Sequence, residues 1–212
     1  MDFLEFLKYV PKIMEATLPA KEAHYKMAPL ERIESMDKFE FQRKNPKLAA
    51  VMMLFYPRNG RTHLVLIVRN SYEGVHSAQI AFPGGKFEPK DKTFEITALR
   101  ETFEEIGIHP DRMEILRPFT HLYIQPSNFL VYPFLGICKE EIFFIPDSSE
   151  VAAIIELPLS VFLGDDAIVS VTISTSYASN IMVPAFKIGE HIVWGATAMM
   201  LSELKEVLKK VL

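Results

Sequence analysis

Residues 100 to 108 read Arg-Glu-Thr-Phe-Glu-Glu-Ile-Gly-Ile, which places Glu101, Glu104 and Glu105 at i, i+3 and i+4. On a helix this spacing gathers three carboxylates into about 100° of one face. Like charges so placed repel and destabilise an isolated helix. The chain must therefore fold so that something offsets them, and hard oxygen ligands suit Mg²⁺ or Mn²⁺. A merely solvated face would interleave Lys or Arg with Glu at i+4. Here Arg100 is the only cation within the cluster, at the edge of the acidic face, where it can orient a carboxylate. Ile96, Leu99, Phe103 and Ile106 follow helical spacing on the other side and predict the packing face. Gly107 and Pro110 stop a helix expected to run from about Thr93 to Ile106.

Phe82-Pro83-Gly84-Gly85 precedes the helix. A glycine pair allows backbone to approach a metal or phosphate without Cβ interference, and a loop feeding a helix N-terminus suits phosphate. The same glycines also serve simple turns; the acidic helix that follows favours the ligand reading.

The whole stretch resembles the Nudix box: Gly, five residues, Glu, seven residues, then Arg-Glu-hydrophobic-x-Glu-Glu-x-Gly-hydrophobic. Arg100 to Ile108 match, with Thr102 at the usual hydrophobic position. Gly85 lies fifteen residues before Arg100 instead of fourteen, and Lys92 stands where the first Glu belongs. Asp91 or Glu88 must then take that structural role. The one-residue expansion behind Phe-Pro-Gly-Gly is similar to the coenzyme A diphosphatase branch. Arg69, Ser71, His76 and Gln79 match that branch's upstream motif, while Gly74 replaces an Arg and Ala78 a Gly. Pro126-Ser127-Asn128-Phe129, Glu150-Val151-Ala152 with Leu157-Pro158-Leu159, and Val193 to Ala198 look like its downstream segments. The resemblance covers roughly residues 47 to 212.

The resemblance implies an α/β fold, an α/β/α sandwich with a mixed sheet. It implies Glu101, Glu104 and Glu105 as ligands of Mg²⁺ or Mn²⁺. Glu104 is also a candidate for water activation, Arg100 for orienting the carboxylates, and Glu150 for an extra acidic group. Arg69, with its bidentate fork for phosphate, joins His76, Gly84 and Gly85 as the substrate-binding candidates. The implied reaction is hydrolysis of a phosphoanhydride in a nucleoside diphosphate derivative. Coenzyme A or acyl-coenzyme A would give adenosine 3′,5′-bisphosphate and (acyl-)phosphopantetheine. Because Gly74 replaces an Arg suited to the 3′-phosphate, ADP-ribose or another nucleotide is the alternative substrate. A non-catalytic nucleotide-binding regulatory module is the rival from another class. All three box carboxylates are present, which favours an enzyme.

The remaining sequence bounds the setting. At 212 residues and 49% hydrophobic content the chain suits one domain with an appendage: a helical extension over 1–46 and the hydrolase domain over 47–212. Within the extension, Phe3, Phe6, Leu7 and Val10 have helical spacing that Pro11 interrupts. The extension is expected to wrap the domain or a partner subunit, such as a homodimer, and to be dispensable for chemistry. Leu48–Tyr56 and His63–Val68 predict a hairpin through Pro57-Arg58-Asn59-Gly60. Ile115–Ile124, Phe129–Ile137 and Val151–Leu157 read as strands, Val169–Thr175 and Val183–Ile188 as a further pair, and Ala196–Val211 as a closing helix. Trp194, Phe129 and the Met52-Met53 and Met199-Met200 pairs read as core, as does the single cysteine, Cys138. Net charge is −4 and the pI about 5.9, so no nucleic-acid partner is expected. There is no signal-peptide pattern, no peroxisomal C-terminus and no run of about eighteen apolar residues. A soluble cytoplasmic protein acting on a small molecule is the expectation.

Overall fold

Residues 48 to 57 are apolar without a polar interruption, so both faces of any strand they form need cover. The computed structural model, which describes residues 1–29, 45–70, 79–173 and 180–212, supplies it. Along β1 (Lys47–Arg58), Ala49, Met53 and Phe55 enter one hydrophobic cluster. Ala50, Met52, Leu54 and Tyr56 enter a second on the opposite face. The next strand, β2 (Arg61–Arg69), alternates likewise, with Leu64 and Leu66 on one side and Val65 and Ile67 on the other. Asn59 and Gly60 both have positive φ, 48° and 70°, the twist a two-residue hairpin turn requires.

The main sheet runs β3 (Ile80–Ala81), β2, β1, β7 (Phe129–Ile137), β5 (Glu114–Pro118), with β4 (Gly84–Lys86) paired to β1, β6 (Leu122–Ile124) to β7 and β8 (Val151–Pro158) to β2. The β1–β7 pairing is parallel and the other pairings are antiparallel. Helix α4 (Phe94–Ile106) covers the second cluster through Ala98 and Ile106. The closing helix, α6 (Gly195–Val211), covers the first, together with α1 (Phe3–Leu7) and α2 (Val10–Glu15), and α3 (Lys21–Tyr25) is tied to α6 through the Ser202 hydroxyl, which donates to the Ala23 carbonyl. This is the expected sandwich of helices on both faces of a mixed sheet. A short helix, α5 (Leu159–Leu163), leads to a separate antiparallel sheet of β9 (Ile168–Ile173), β10 (Ile181–Ile188) and β11 (His191–Val193). Among the described residues no helix is long and apolar enough to cross a membrane.

Two departures from the sequence reading have local causes. The strand expected over Ile115–Ile124 divides into β5 and β6. Between them, Thr120 is held through its amide and hydroxyl by the Glu203 carboxylate of α6, at 3.2 and 2.6 Å, which draws the chain out of the ladder. At the N-terminus the helical run is interrupted between Leu7 and Val10, ahead of Pro11, which sits in the first turn of α2, where its missing N–H is harmless.

The extension wraps over the domain, as far as it is described, and its packing bears on stability rather than on chemistry. Phe3, Phe6, Val10, Ile13, Met27 and Ala28 are buried in the first cluster. Arg117 on β5 donates from one nitrogen to the carbonyls of Ile13, Met14 and Ala16 at 2.7–3.1 Å. Glu203 also accepts from the Ala20 amide at 3.0 Å and faces the buried His24 ring at 3.4 Å. The N-terminal helices complete the core. Phe6→Ala should lower stability by about 3–5 kcal/mol, whereas Leu4→Ala, at a position 72% exposed, should change it by less than about 0.5 kcal/mol. Urea unfolding checks both; equally small losses would show that the N-terminal helices add nothing to the core.

Candidate active site

The acidic helix is entered through two successive caps. In the 3₁₀ turn Pro89–Asp91, Glu88 and Asp91 cap each other's backbone reciprocally. Thr93 then caps α4 by accepting from the Ile96 amide. These caps leave Asp91 buried beneath the helix, and it accepts from the Thr97 hydroxyl at 2.9 Å.

Arg100 reaches back onto this carboxylate with two parallel bonds, Nε to Oδ1 at 2.7 Å and Nη2 to Oδ2 at 2.8 Å. Nη2 also donates to the Lys86 carbonyl at 3.1 Å. Nη1 donates to Glu101 at 2.9 Å and Glu104 at 2.7 Å. All five guanidinium donors thus have acceptors. Asp91, not Glu88, takes the place left by Lys92. The Arg100 hydrogen bonds hold the Asp91 carboxyl well below the usual carboxylate range, against the opposing effect of burial.

The packing face of α4 differs from the sequence reading. Ile96 and Phe103 are 43% and 45% exposed, and Leu99 is only partly covered. The face against the sheet carries Ala98, Thr102, Glu105 and Ile106. Small residues let the helix approach closely, and Thr102 fits because its hydroxyl donates to the Ala98 carbonyl at 2.6 Å. One carboxylate of the acidic set is thereby driven inward. Glu105 is 1% exposed; it accepts from the Gly84 amide at 2.8 Å and from Arg69 at 2.9 Å. Burial pushes its carboxyl up to about 7, with the charges of Glu101 and Glu150 adding to the shift and Gly84 and Arg69 opposing it. Glu101 is also pushed up, by burial first and then by Glu104 and Glu150 against Arg100.

Glu150 belongs to this electrostatic set although it lies far along the chain. The turn Asp147–Glu150 is fixed by Asp147, which accepts from the Ser149 amide and hydroxyl. It is tied to the end of β2 by Asn70, whose amide donates to the Glu150 carbonyl at 2.9 Å. Asp147 also donates its amide to the Glu105 carbonyl. Arg69 faces Glu105, so its guanidinium lies at the acidic set. His76 and Gly74 fall outside the described residues.

Gly84 and Gly85 separate this set from a cavity. A Cβ at Gly84, whose φ is 151°, would lie 2.4 Å from the Ala50 carbonyl oxygen, and one at Gly85 would lie 2.4–2.7 Å from the Glu101 carboxyl group. The cavity, about 330 Å³, is lined on the strand side by Arg69, Gln79 and Lys86, and elsewhere by Ile124, Phe129, Trp194 and Met200. Trp194 and Phe129, read from sequence as core, are half-buried wall residues. Met52, Met53, Met199 and Cys138 are core, as expected. Sequence reasoning missed Thr97 as the second partner of Asp91; its signal was the six-residue spacing from Asp91 across a helix start.

A divalent cation fits the donor set on two observations. Glu101 is close enough to feel the charges of Glu104 and Glu150, and Glu105 those of Glu101 and Glu150, and Gly85 leaves the Glu101 carboxyl group room that a Cβ would take. Among the described residues no three acidic, His or Cys groups already converge on one point; Glu101 and Glu104 turn onto Arg100, and Glu105 onto Arg69.

Comparison with known proteins agrees with this geometry. A NUDIX domain model matches residues 46–169. An uncharacterized Nudix hydrolase from Photorhabdus laumondii is 31% identical over 76% of this chain and 85% of its own length. The mitochondrial Nudix hydrolase 15 of Arabidopsis thaliana is 37% identical over 58% of this chain and 44% of its own length. The peroxisomal coenzyme A diphosphatase of Mus musculus is 33% identical over 54% and 48%. The chain spans about half the length of the Arabidopsis relatives it matches. A MutT/nudix family protein from Enterococcus faecalis shares the fold, with a TM-score of 0.52 at 16% identity over 92% of this chain and 76% of that one.

Asp91→Asn should remove about 1–3 kcal/mol of stability at neutral pH, because Arg100 loses its charged partner. With its folded pKa depressed, Asp91 contributes fully above the unfolded value of about 4, and the contribution falls as pH drops below it. The gap between wild type and Asp91→Asn, measured by thermal melts across pH, should shrink below about pH 4. A gap that stays constant into stronger acid would contradict the pairing.

Proposed function

Because this chain belongs to the Nudix family, we propose that it hydrolyses the phosphoanhydride of a nucleoside diphosphate derivative, with coenzyme A or an acyl-coenzyme A as the substrate. The observation that carries the reading is the acidic set itself. All three box carboxylates are present, Glu105 is buried against the Gly84 amide, and Glu150 is brought in from β8's entry turn.

In this reading Glu101, Glu104 and Glu105 hold Mg²⁺ or Mn²⁺. When bound, the ion supplies electrostatic stabilisation for charge on the phosphoryl oxygens. Arg100 is a positioning residue: its donors are committed to Asp91, Lys86, Glu101 and Glu104, so it fixes carboxylates and does not grip substrate. Glu150, exposed, and Glu104, half-exposed and held by Arg100, are the candidates to accept a proton from the attacking water. Arg69 stands between Glu105 and the cavity and can meet a phosphate. Gly84 and Gly85 line the cavity, and glycine backbone can approach the diphosphate closely. The branch-like segments on both sides of the box, and the 33% identity to a coenzyme A diphosphatase, support the coenzyme A reading.

Purified protein with Mg²⁺ or Mn²⁺ should show its highest kcat/KM on coenzyme A or an acyl ester, against dephospho-coenzyme A, ADP-ribose, NADH and nucleoside triphosphates. Glu105→Gln should lower turnover by about a hundredfold or more, and excess chelator should abolish it. A preference for ADP-ribose would overturn the substrate, and undiminished turnover in the variant would overturn the ligand assignment.

A further inference from the structure

The cavity beside Gly84 and Gly85 has walls of two kinds. Its charged side chains, Arg69 and Lys86, come from the strands next to the carboxylates. The wall built by Ile124, Pro126, Phe129, Trp194, Ala196 and Met200 presents carbon, sulfur and one indole. Thr197 would add a hydroxyl, but it donates to the Ile80 carbonyl at 2.9 Å and so ties the first turn of α6 to β3. The Lys47 ammonium lies 5.6 Å from the centre of the Phe129 ring.

A nucleobase placed against such a wall would bury ring nitrogens and an amino group with few side chains to meet them, and unmet polar groups are costly to bury. An acyl chain at the end of a substrate arm carries no such penalty and gains with each methylene removed from water. The first turn of α6 has no side-chain cap, and its backbone amides suit the occasional carbonyl of such an arm.

We propose that this cavity is the subsite for the non-nucleoside arm of the substrate, and that it selects an apolar, acylated arm. The proposal rests on the coenzyme A reading above, in which that arm is the acylated pantetheine and the adenosine half lies outside the cavity. Ile124, Trp194, Ala196 and Met200 then set acyl-chain preference, while the carboxylates act on a diphosphate common to every chain length.

The test measures binding of the two product halves separately, by calorimetry with Mg²⁺, to wild type, Ala196→Leu and Trp194→Ala. Ala196→Leu fills the cavity and Trp194→Ala removes its largest wall residue; both sites are half-exposed, and melting curves establish that each variant is folded. Both variants should weaken hexanoyl-phosphopantetheine about tenfold or more and leave adenosine 3′,5′-bisphosphate within about twofold. In the wild type, affinity should rise about fourfold per added methylene from acetyl towards hexanoyl. Weakened adenosine bisphosphate binding with an unchanged acyl arm would make this the nucleoside site and overturn the proposal, as would no change in either half. Coenzyme A turnover by wild type is measured alongside. Its absence with the binding pattern intact overturns the hydrolase reading alone, and its presence with unmoved binding overturns the subsite alone.

Discussion

The bidentate pair between Arg100 and Asp91 is the contact on which the rest of the site depends. It crosses from the 3₁₀ turn ahead of the acidic helix to the helix's own second turn, so it fixes how the helix leaves the loop. It also consumes three of five guanidinium donors, once the Lys86 carbonyl is counted. The two that remain can only point along the acidic face, where Glu101 and Glu104 receive them. Arg recognises planar acceptors in a fixed fork, and Lys at this position would hold neither end.

The second constraint is backbone proximity. Ala98 and Thr102 bring α4 close to β1 and β4, and the consequence is a carboxylate, Glu105, that enters the protein interior. It is tolerated because the Gly84 amide and Arg69 meet its two oxygens. Gly84 and Gly85 serve the carboxylates on one side and the cavity on the other. A side chain at either position would collide with β1 or with Glu101, so the carboxylates and the cavity lie on opposite sides of a wall one backbone thick.

Much of this was legible in the sequence, for identifiable reasons. The spacing of Glu101, Glu104 and Glu105 is a local property, and the uninterrupted apolar run of β1 demanded cover on both faces. Phe129–Ile137 was read with the bounds it has, because a buried strand between turn residues leaves little choice. Helical periodicity misassigned Ile96 and Phe103 because it counts apolar side chains, whereas close approach to the sheet selected small ones. The role of Asp91 was readable only as one of two options, since a one-residue expansion shifts register and only the fold shows which carboxylate arrives. Glu203, which splits a strand and holds the N-terminal segment, acts across about 80 residues on Thr120 and about 180 on Ala20. No local pattern announces such contacts. Trp194 looked like core because aromatic residues in apolar surroundings usually are; its place on a cavity wall depends on where α6 begins.

In the proposed reading the Asp91–Arg100 pair aims the carboxylates at a divalent cation. Calorimetric titration of Mn²⁺ into wild type and Asp91→Asn tests it without substrate or turnover. Asp91 is not itself a proposed ligand, so its effect must pass through Arg100. Saturable binding in wild type, weakened about 10–100-fold in the variant, is the predicted result. Equal Mn²⁺ affinity in the two folded proteins, or no binding to wild type, would contradict it.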